Sequence, residues 1–420
     1  MRILRCFGPG LITGAADDDP SGIATYSQTG AQFGFGMLWT ALYQIPLLIA
    51  VQEACARIGA TTGKGLAGVI RERYRKEVLF AVVGLVVVAN TINIGADIGA
   101  VAEAVRLVVD IPFSVIAVLA ACGIVLLEVL VGYEKYARIL KWFAIALLSY
   151  PVTALIVHEP WGEIFRATFV PHIEFTFAFL FIITGVFGTS ISPYMFFWQA
   201  SEEVEEEIAH HIPKEGDTPV LPRNWIRNIR IDTVTGMLAA EMAQWFIVIT
   251  TATVLFSHGT TNIATAADAA RALEPLVQSF PNAGQIAKAL FAVGIIGLGL
   301  LGIPVLAGSA AYAASESLGW QEGLSKKFSE ARGFYSVIII ATLIGLLINF
   351  IGIDPFRALV LTAVFNGIAA VPLIFVIARI NGRGDILGSN KGGVVSRVFV
   401  WLTFAVMGLA AVALFYTLIA

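Results

Sequence analysis

Apolar runs of about 20 residues recur along this chain, divided by short polar segments, and that spacing leads us to expect a bundle of membrane-crossing helices. Eleven spans are expected, at 8–35, 38–58, 78–108, 113–132, 137–157, 175–200, 233–257, 286–312, 334–351, 355–378 and 397–418. Two of them are interrupted. The first reads Gly8-Pro9-Gly10-Leu11-Ile12-Thr13-Gly14-Ala15-Ala16-Asp17-Asp18-Asp19-Pro20-Ser21-Gly22-Ile23-Ala24-Thr25, with three carboxylates inside an otherwise apolar course. Pro20 pushes Asp19 out of the α region and removes a backbone donor, so the helix is expected to break there into two halves. The sixth span holds Gly185-Val186-Phe187-Gly188-Thr189-Ser190-Ile191-Ser192-Pro193-Tyr194-Met195, again with a central proline among small residues. Broken backbone at membrane depth is tolerated only inside protein or beside a water-filled cavity, and it points to a transporter binding site. A proline kink without function is the alternative for each span taken alone.

Composition removes the soluble alternative. Of 420 residues, 57% are hydrophobic and 14% charged, against about 25% charged in soluble domains. With residue 1 placed in the cytoplasm, all Lys and Arg fall in cytoplasmic segments except Arg106, Arg166, Arg271, Lys288 and Arg357. That bias implies an N-terminus inside, a C-terminus outside and an odd number of spans in a plasma (inner) membrane. Spans 1 and 6 then run in opposite directions. Two inverted repeats follow, 1–157 and 175–378, with 397–418 as an added span and the whole chain as one transmembrane domain.

The remaining special residues change little. Cys6, Cys55 and Cys122 share no metal-ligand spacing and are expected to pack. The start, Met1 to Arg5, is not expected to be a cleaved signal peptide. His158, His172, His210, His211 and His258 fall in loops or at span ends. The run Glu202, Glu203, Glu205, Glu206, Glu207 is expected to be a solvated face, with a cation-attracting vestibule as the alternative.

The two breaks suggest a cation site. Each first half-helix ends in unpaired carbonyls bearing partial negative charge. The candidate ligands are the Asp19 carboxylate, the Ser192 hydroxyl, the Thr189 carbonyl or hydroxyl and the Ala16 carbonyl. These hard oxygen donors suit Mg²⁺, Mn²⁺ or Ca²⁺, and few protein ligands with retained water is the usual arrangement for Mg²⁺. Asn90 and Asn93 are expected to bond between helices, and Asn366 in span 10 to support the site. Asp17, Asp18 and Asp97 are read as vestibule or packing carboxylates, with an acid path as the alternative.

Gly8-Pro9-Gly10-Leu11, Asp19-Pro20, Gly30-Ala31-Gln32-Phe33-Gly34 and Leu38-Trp39 resemble the first span of the Nramp divalent-metal transporters. The resemblance implies an all-α polytopic membrane protein of LeuT-type fold, with spans 1 and 6 unwound around the metal. Against the usual Asp-Pro-Gly-Asn and Met-Pro-His motifs, this chain has Asp19-Pro20-Ser21-Gly22 and Ser192-Pro193-Tyr194. Asp19 carries over, Gly22 replaces the asparagine ligand, Ser192 the methionine and Tyr194 the histidine. Losing the thioether removes the soft ligand, a pattern similar to the Nramp-related magnesium transporter branch. Asn93 and Ala96 stand where proton-coupled members carry an Asp and a Glu, with Asp97 and Glu103 off that register. Span 9, Gly333 to Phe350, lacks the family's arginines. The resemblance therefore implies Mg²⁺ transport, with Mn²⁺ accepted and no proton coupling. The partners are a divalent ion and the lipid bilayer; no cofactor and no nucleic acid are expected, and a monomer suffices. A proton-coupled Mn²⁺ or Fe²⁺ carrier is the alternative. A Mg²⁺-dependent prenyl-transferring enzyme is more remote, since span 6 offers no second Asp-rich motif. A LeuT-type amino-acid carrier would set Asp19 against a substrate carboxylate.

Overall fold

The computed structural model describes residues 8–130, 148–157, 159–216 and 218–419, and it is helical nearly throughout. Span 1 is two helices, Pro9–Asp17 (span 1a) and Pro20–Phe33 (span 1b). Span 2 is Trp39–Thr62, span 3 Lys76–Arg106 and span 4 Phe113–Leu130. Of the fifth span, Ser149–Ile156 is helical, and 137–147 lie outside the described residues. Span 6 is again two helices, Phe177–Ser190 (6a) and Pro193–Ala209 (6b). Spans 7 to 11 are Trp225–Val254, Ala283–Leu318, Arg332–Ile348, Pro355–Asn381 and Val394–Ile419.

Seven of these helices, with span 6 counted as one, are long and apolar enough to cross a membrane. Spans 1b and 2 qualify only as a pair bent by 107°. The bend falls at Leu38, just after a tight turn at 34–37 that opens on Gly34, whose φ of +57° is a left-handed conformation that suits glycine. Burial explains why these two helices fall short in apolarity. From Pro20 to Ala31 every residue of span 1b is buried, polar ones included. The helix is surrounded by protein, so lipid does not select its side chains. Spans 4 and 11 are the opposite case, with Leu119, Leu126, Leu130, Leu409 and Val412 all exposed, as expected of lipid-facing helices.

Span 7 begins eight residues before its expected start at 233, and charge accounts for the extension. Arg230 in its second turn reaches Glu53 of span 2 at 3.1 Å, and Glu53 also pairs with Arg57 at 2.8 Å. Arg57 in turn donates to Asn381 of span 10 (2.9 Å) and Ser396 of span 11 (3.0 Å). One buried arginine thus joins the ends of spans 2, 10 and 11. Two further elements lie outside the expected spans. A short amphipathic helix, Trp161–Phe169, buries Ile164 and Thr168. Lys214–Glu215 and Thr218–Pro219 form a minimal antiparallel pair in the loop before span 7.

Span 1a is fixed against span 7. The carboxylate of Asp232 accepts hydrogen bonds from the backbone N–H of Gly8 (2.9 Å) and Gly10 (2.6 Å), which satisfies the free donors at a helix start. One turn on, Gly14 lies directly on the Gly236 backbone, with no room for a side chain on either residue.

Candidate metal site

The break in span 1 follows from its sequence. Asp18 leaves the helix (φ −85°, ψ 39°), and Asp19 (φ −59°, ψ 174°) opens span 1b as its N-cap with Pro20 in the first turn. Oδ1 of Asp19 accepts from the Gly22 N–H at 3.0 Å and from the Ser21 hydroxyl at 2.6 Å. Oδ2 faces span 3, where the Asn93 side-chain amide donates to it at 3.2 Å. The same nitrogen donates to Oδ2 of Asp97 at 3.3 Å, and Asn366 of span 10 donates to Oδ1 of Asn93 at 3.3 Å. Asn93 therefore joins the carboxylates of spans 1 and 3, and all four residues are buried. Span 8 closes the wall because residue 302 is glycine: a Cβ there would stand 3.0 Å from Cβ of Asp19.

The break in span 6 has the same backbone form and a different outcome. Ile191 ends span 6a (φ −106°, ψ 61°), and Ser192 (φ −84°, ψ 142°) precedes Pro193. The Ser192 hydroxyl turns back on its own helix and donates toward the carbonyls of Gly188 (2.5 Å) and Thr189 (2.8 Å). The Thr189 hydroxyl lies 3.2 Å from that of Ser21, beside Gly22. The Tyr194 hydroxyl crosses between the breaks and donates to the Ala16 carbonyl at 2.8 Å.

Of the residues the sequence nominated, Asp19, Asn93, Asp97 and Asn366 form one hydrogen-bonded chain, with Thr189 and Gly22 adjoining. Ala16 and Tyr194 face each other across the breaks, and Pro20 and Pro193 begin the second half-helices. Ser192 stands at its break with its proton committed to its own helix. The nearby donors are carboxylate, amide, hydroxyl and carbonyl oxygens, a hard set. Among the described residues, no three His, Cys, Asp or Glu side chains close into a chelating group. An ion beside Asp19 would therefore draw its remaining oxygens from backbone and water.

The Nramp family model, described as natural resistance-associated macrophage protein-like, matches residues 10–417. The chain belongs to the Nramp family. A divalent metal cation transporter MntH from Ralstonia nicotianae is 24% identical over an alignment covering 100% of this chain and 92% of that one. A protein of the same name from Mesorhizobium japonicum is 28% identical, over 71% of this chain and 64% of that one. The fold matches the crystal structure of the Eremococcus coleocola manganese transporter (TM-score 0.76, 16% identity, 96% of this chain and 84% of that one). It also matches Mhp1, a nucleobase-cation-symport-1 family transporter of LeuT-type fold (TM-score 0.52, 14% identity, 98% and 90% covered). The likeness to these structures concerns the fold.

Several residues of this Nramp chain were not singled out from sequence. Ser21 and Gly302 touch Asp19 directly; Ser21 lies in the first turn after the proline, and Gly302-Ile303-Pro304 is a glycine–proline step inside span 8. Glu241, a carboxylate in the apolar course of span 7, could have been found by the rule that singled out Asp19. The acidic run needs correction. Glu202, Glu203 and Glu207 are buried rather than solvated, because span 6b packs on that face. Glu203 accepts from Gln199 at 2.9 Å, Gln199 accepts from Thr13 at 2.7 Å, and Glu205 accepts from Tyr312 at 3.0 Å. Below it, in the loop after span 8, burial beside the Glu316 carboxylate pushes Glu322 up to about 9. His172, His210, His211 and His258 are exposed, away from the breaks, while His158 and Cys6 lie outside the described residues.

Proposed function

We propose that this chain carries hard divalent cations across the membrane, Mg²⁺ first and Mn²⁺ also, by alternating access around a partly hydrated ion at Asp19. Membership of a family whose relatives are named divalent metal cation transporters supports the cargo class and leaves the prenyl-transfer reading without support. One observation carries the rest. Oδ2 of Asp19 accepts from Asn93 of span 3, and the side chains of Ser21, Thr189 and Ser192 at the two breaks supply hydroxyl oxygens. A single anionic ligand among neutral oxygens favours an ion that keeps several waters. The ligands would be Asp19, the Thr189 and Ser192 oxygens and the carbonyl of Ala16, with room at Gly22. Tyr194, Asn93, Asp97 and Asn366 would orient them. The ion is cargo, so the protein needs no resident cofactor.

The transport cycle would rock spans 1, 2, 6 and 7 against spans 3, 4, 8 and 9, with the two five-span repeats in inverted orientation and the N-terminus in the cytoplasm. Asn93, which bonds a carboxylate of each group, would be the contact that an arriving ion replaces. Proton coupling is absent in this reading, because Asn93 and Ala96 cannot carry a proton and Arg332 is exposed at the first residue of span 9. One observation favours the proton-coupled alternative: Asp97 reaches Asn93 and so lies one hydrogen-bonded residue from Asp19. Uptake of Mg²⁺ and Mn²⁺ into proteoliposomes holding a pH dye separates the two. Mg²⁺ entry without acidification is the expected result. Mn²⁺ entry with acidification and without Mg²⁺ entry would overturn it.

A further inference from the structure

Span 8 packs through glycines, and they differ in what they meet. A Cβ at Gly299 would stand 2.4 Å from Cγ2 of Val101 on span 3, and one at Gly308 would stand 2.7 Å from the Trp198 ring on span 6b. Approaches that short leave no room for a methyl group, so these two glycines serve close packing. A Cβ at Gly302 would meet Cβ of Asp19 at 3.0 Å. Beyond its own helix backbone, its next neighbours would be Cα of Asp19 and Oδ2 of Asp97, both at 3.9 Å. Gly302 therefore faces two acidic residues and not a packed apolar side chain. Asn93 reaches the same two residues from span 3, donating to Oδ2 of each. Asp97 is fully buried, and its Oδ1 has no hydrogen-bond partner among the described residues.

A buried carboxylate oxygen is normally satisfied by protein or by ordered water. Water is held in an interior where the space is polar and two or more polar groups converge on it. The room beside Gly302 meets that condition, since Asp19, Asn93 and Asp97 border it. We propose that Gly302 sets how much water the ion keeps: the room it leaves takes a water molecule of the shell around an ion on Asp19, and that water donates a hydrogen bond to Asp97. Asp97 then holds the ion through water, and Gly302 is a positioning residue that touches neither. Mg²⁺ demands near-octahedral geometry and dehydrates reluctantly, so it depends on this room more than Mn²⁺ does. A methyl group at 302 takes up the room and moves Asp19 by a few tenths of an ångström. That is a small steric change for the fold and a large one for a water molecule.

This inference rests on the reading that Asp19 holds the cargo, and its test keeps the two separate. Mn²⁺ uptake into proteoliposomes is measured with Mg²⁺ as competitor for the unmodified chain, Gly302→Ala, Gly302→Ser and Asp19→Ala. In Gly302→Ala the Mg²⁺ concentration that halves Mn²⁺ uptake should rise about tenfold, while the half-saturating Mn²⁺ concentration moves by less than about threefold. Gly302→Ser puts a hydroxyl in the same room and should keep Mg²⁺ competition nearer to that of the unmodified chain. Equal changes for the two ions, no change, or a larger loss in Gly302→Ser than in Gly302→Ala overturn the inference, and Gly302 is then a packing residue. Failure of Mg²⁺ to compete in the unmodified chain overturns it too. Asp19→Ala separates the two readings. Uptake there at the unmodified rate removes Asp19 as the cargo ligand. Loss of uptake there, with an unmoved ratio in Gly302→Ala, leaves Asp19 standing and removes only the role of Gly302. Electron–nuclear double resonance of Mn²⁺ bound to the full chain in D₂O should show water on the ion, and less of it in Gly302→Ala. An ion without water in the unmodified chain overturns the inference even where a variant fails to fold, which gel filtration reports.

Discussion

The two broken spans share one backbone device and differ in what they do with it. In each, a residue in extended conformation precedes a proline that opens the second half-helix. At span 1 the residue is Asp19, whose second oxygen reaches out to span 3. At span 6 it is Ser192, whose hydroxyl is directed to the carbonyls of the helix that just ended. The proline makes the break, and the capping residue decides whether the break faces outward or satisfies itself. At the breaks themselves charge is therefore confined to span 1, and span 6 supplies neutral oxygens and shape there, its acidic run lying farther along span 6b. Under the proposed function, a site built this way would depend on a single anion for binding, which suits an ion that keeps much of its water.

The sharpest way to break that comparison is to remove the anion. Asp19→Ala should lower Mg²⁺ and Mn²⁺ uptake by a hundredfold or more, about 2.7 kcal/mol or greater, while the protein still inserts and stays monodisperse. Uptake at the unmodified rate would mean that the two breaks are equivalent after all. Next comes the packing that positions the neutral break. Gly188 lies on the backbone of Ala363 and Gly367 of span 10, with no room for a methyl group. Gly188→Ala should destabilise the fold by about 1–3 kcal/mol, read as a lower melting temperature in detergent. A melting temperature equal to that of the unmodified protein would show that span 6a is free to shift.

Asn93 tests whether the charged break needs help from the scaffold. It holds Oδ2 of Asp19 and Oδ2 of Asp97 through one amide. Replacing a group that orients a ligand usually costs about 10–100-fold in metal affinity, and Asn93→Ala should fall near the lower figure. The rise should appear in the concentration for half-maximal uptake, with the expression level unchanged. Equal transport kinetics in Asn93→Ala would place the amide outside the binding step.

Both breaks were legible because their signals are local. Proline, glycine and charge inside an apolar run identify a span that lipid does not surround, and span 1b is indeed buried along nearly its whole length. Asn93, Asp97 and Asn366 were legible as polar residues in apolar spans. Their order, with Asn93 in the middle, depends on how spans 1, 3 and 10 pack, which no local pattern encodes. The direction of the Ser192 hydroxyl was not legible for a related reason: residue type does not say that the turn it occupies offers its proton two nearby carbonyls. The acidic run was misjudged because charge alone suggests water. Gln199 and Glu203 stand four apart on one face of span 6b, and that face meets Thr13 of span 1a. Glu241 went unnoticed among the apolar residues of span 7, although a lone carboxylate in such a run is the same kind of signal as Asp19.

The smallest expected effect lies at the neutral break, and it separates binding from selectivity. Ser192→Ala removes a proton donor from two carbonyls, a change of about 1 kcal/mol, and transport should stay within severalfold of the unmodified protein. Ser192→Met keeps that loss and adds a soft thioether beside the same anion. Uptake of Mn²⁺ and Cd²⁺ should then rise relative to Mg²⁺ by about tenfold, or roughly 1.4 kcal/mol, measured by competition in one set of proteoliposomes. If Ser192→Ala and Ser192→Met change the ratio equally, the thioether does not reach the ion, and selectivity belongs to Asp19 and its neighbours on span 1. If only Ser192→Met changes it, the neutral break sets which ion is held, and Asp19 sets how tightly.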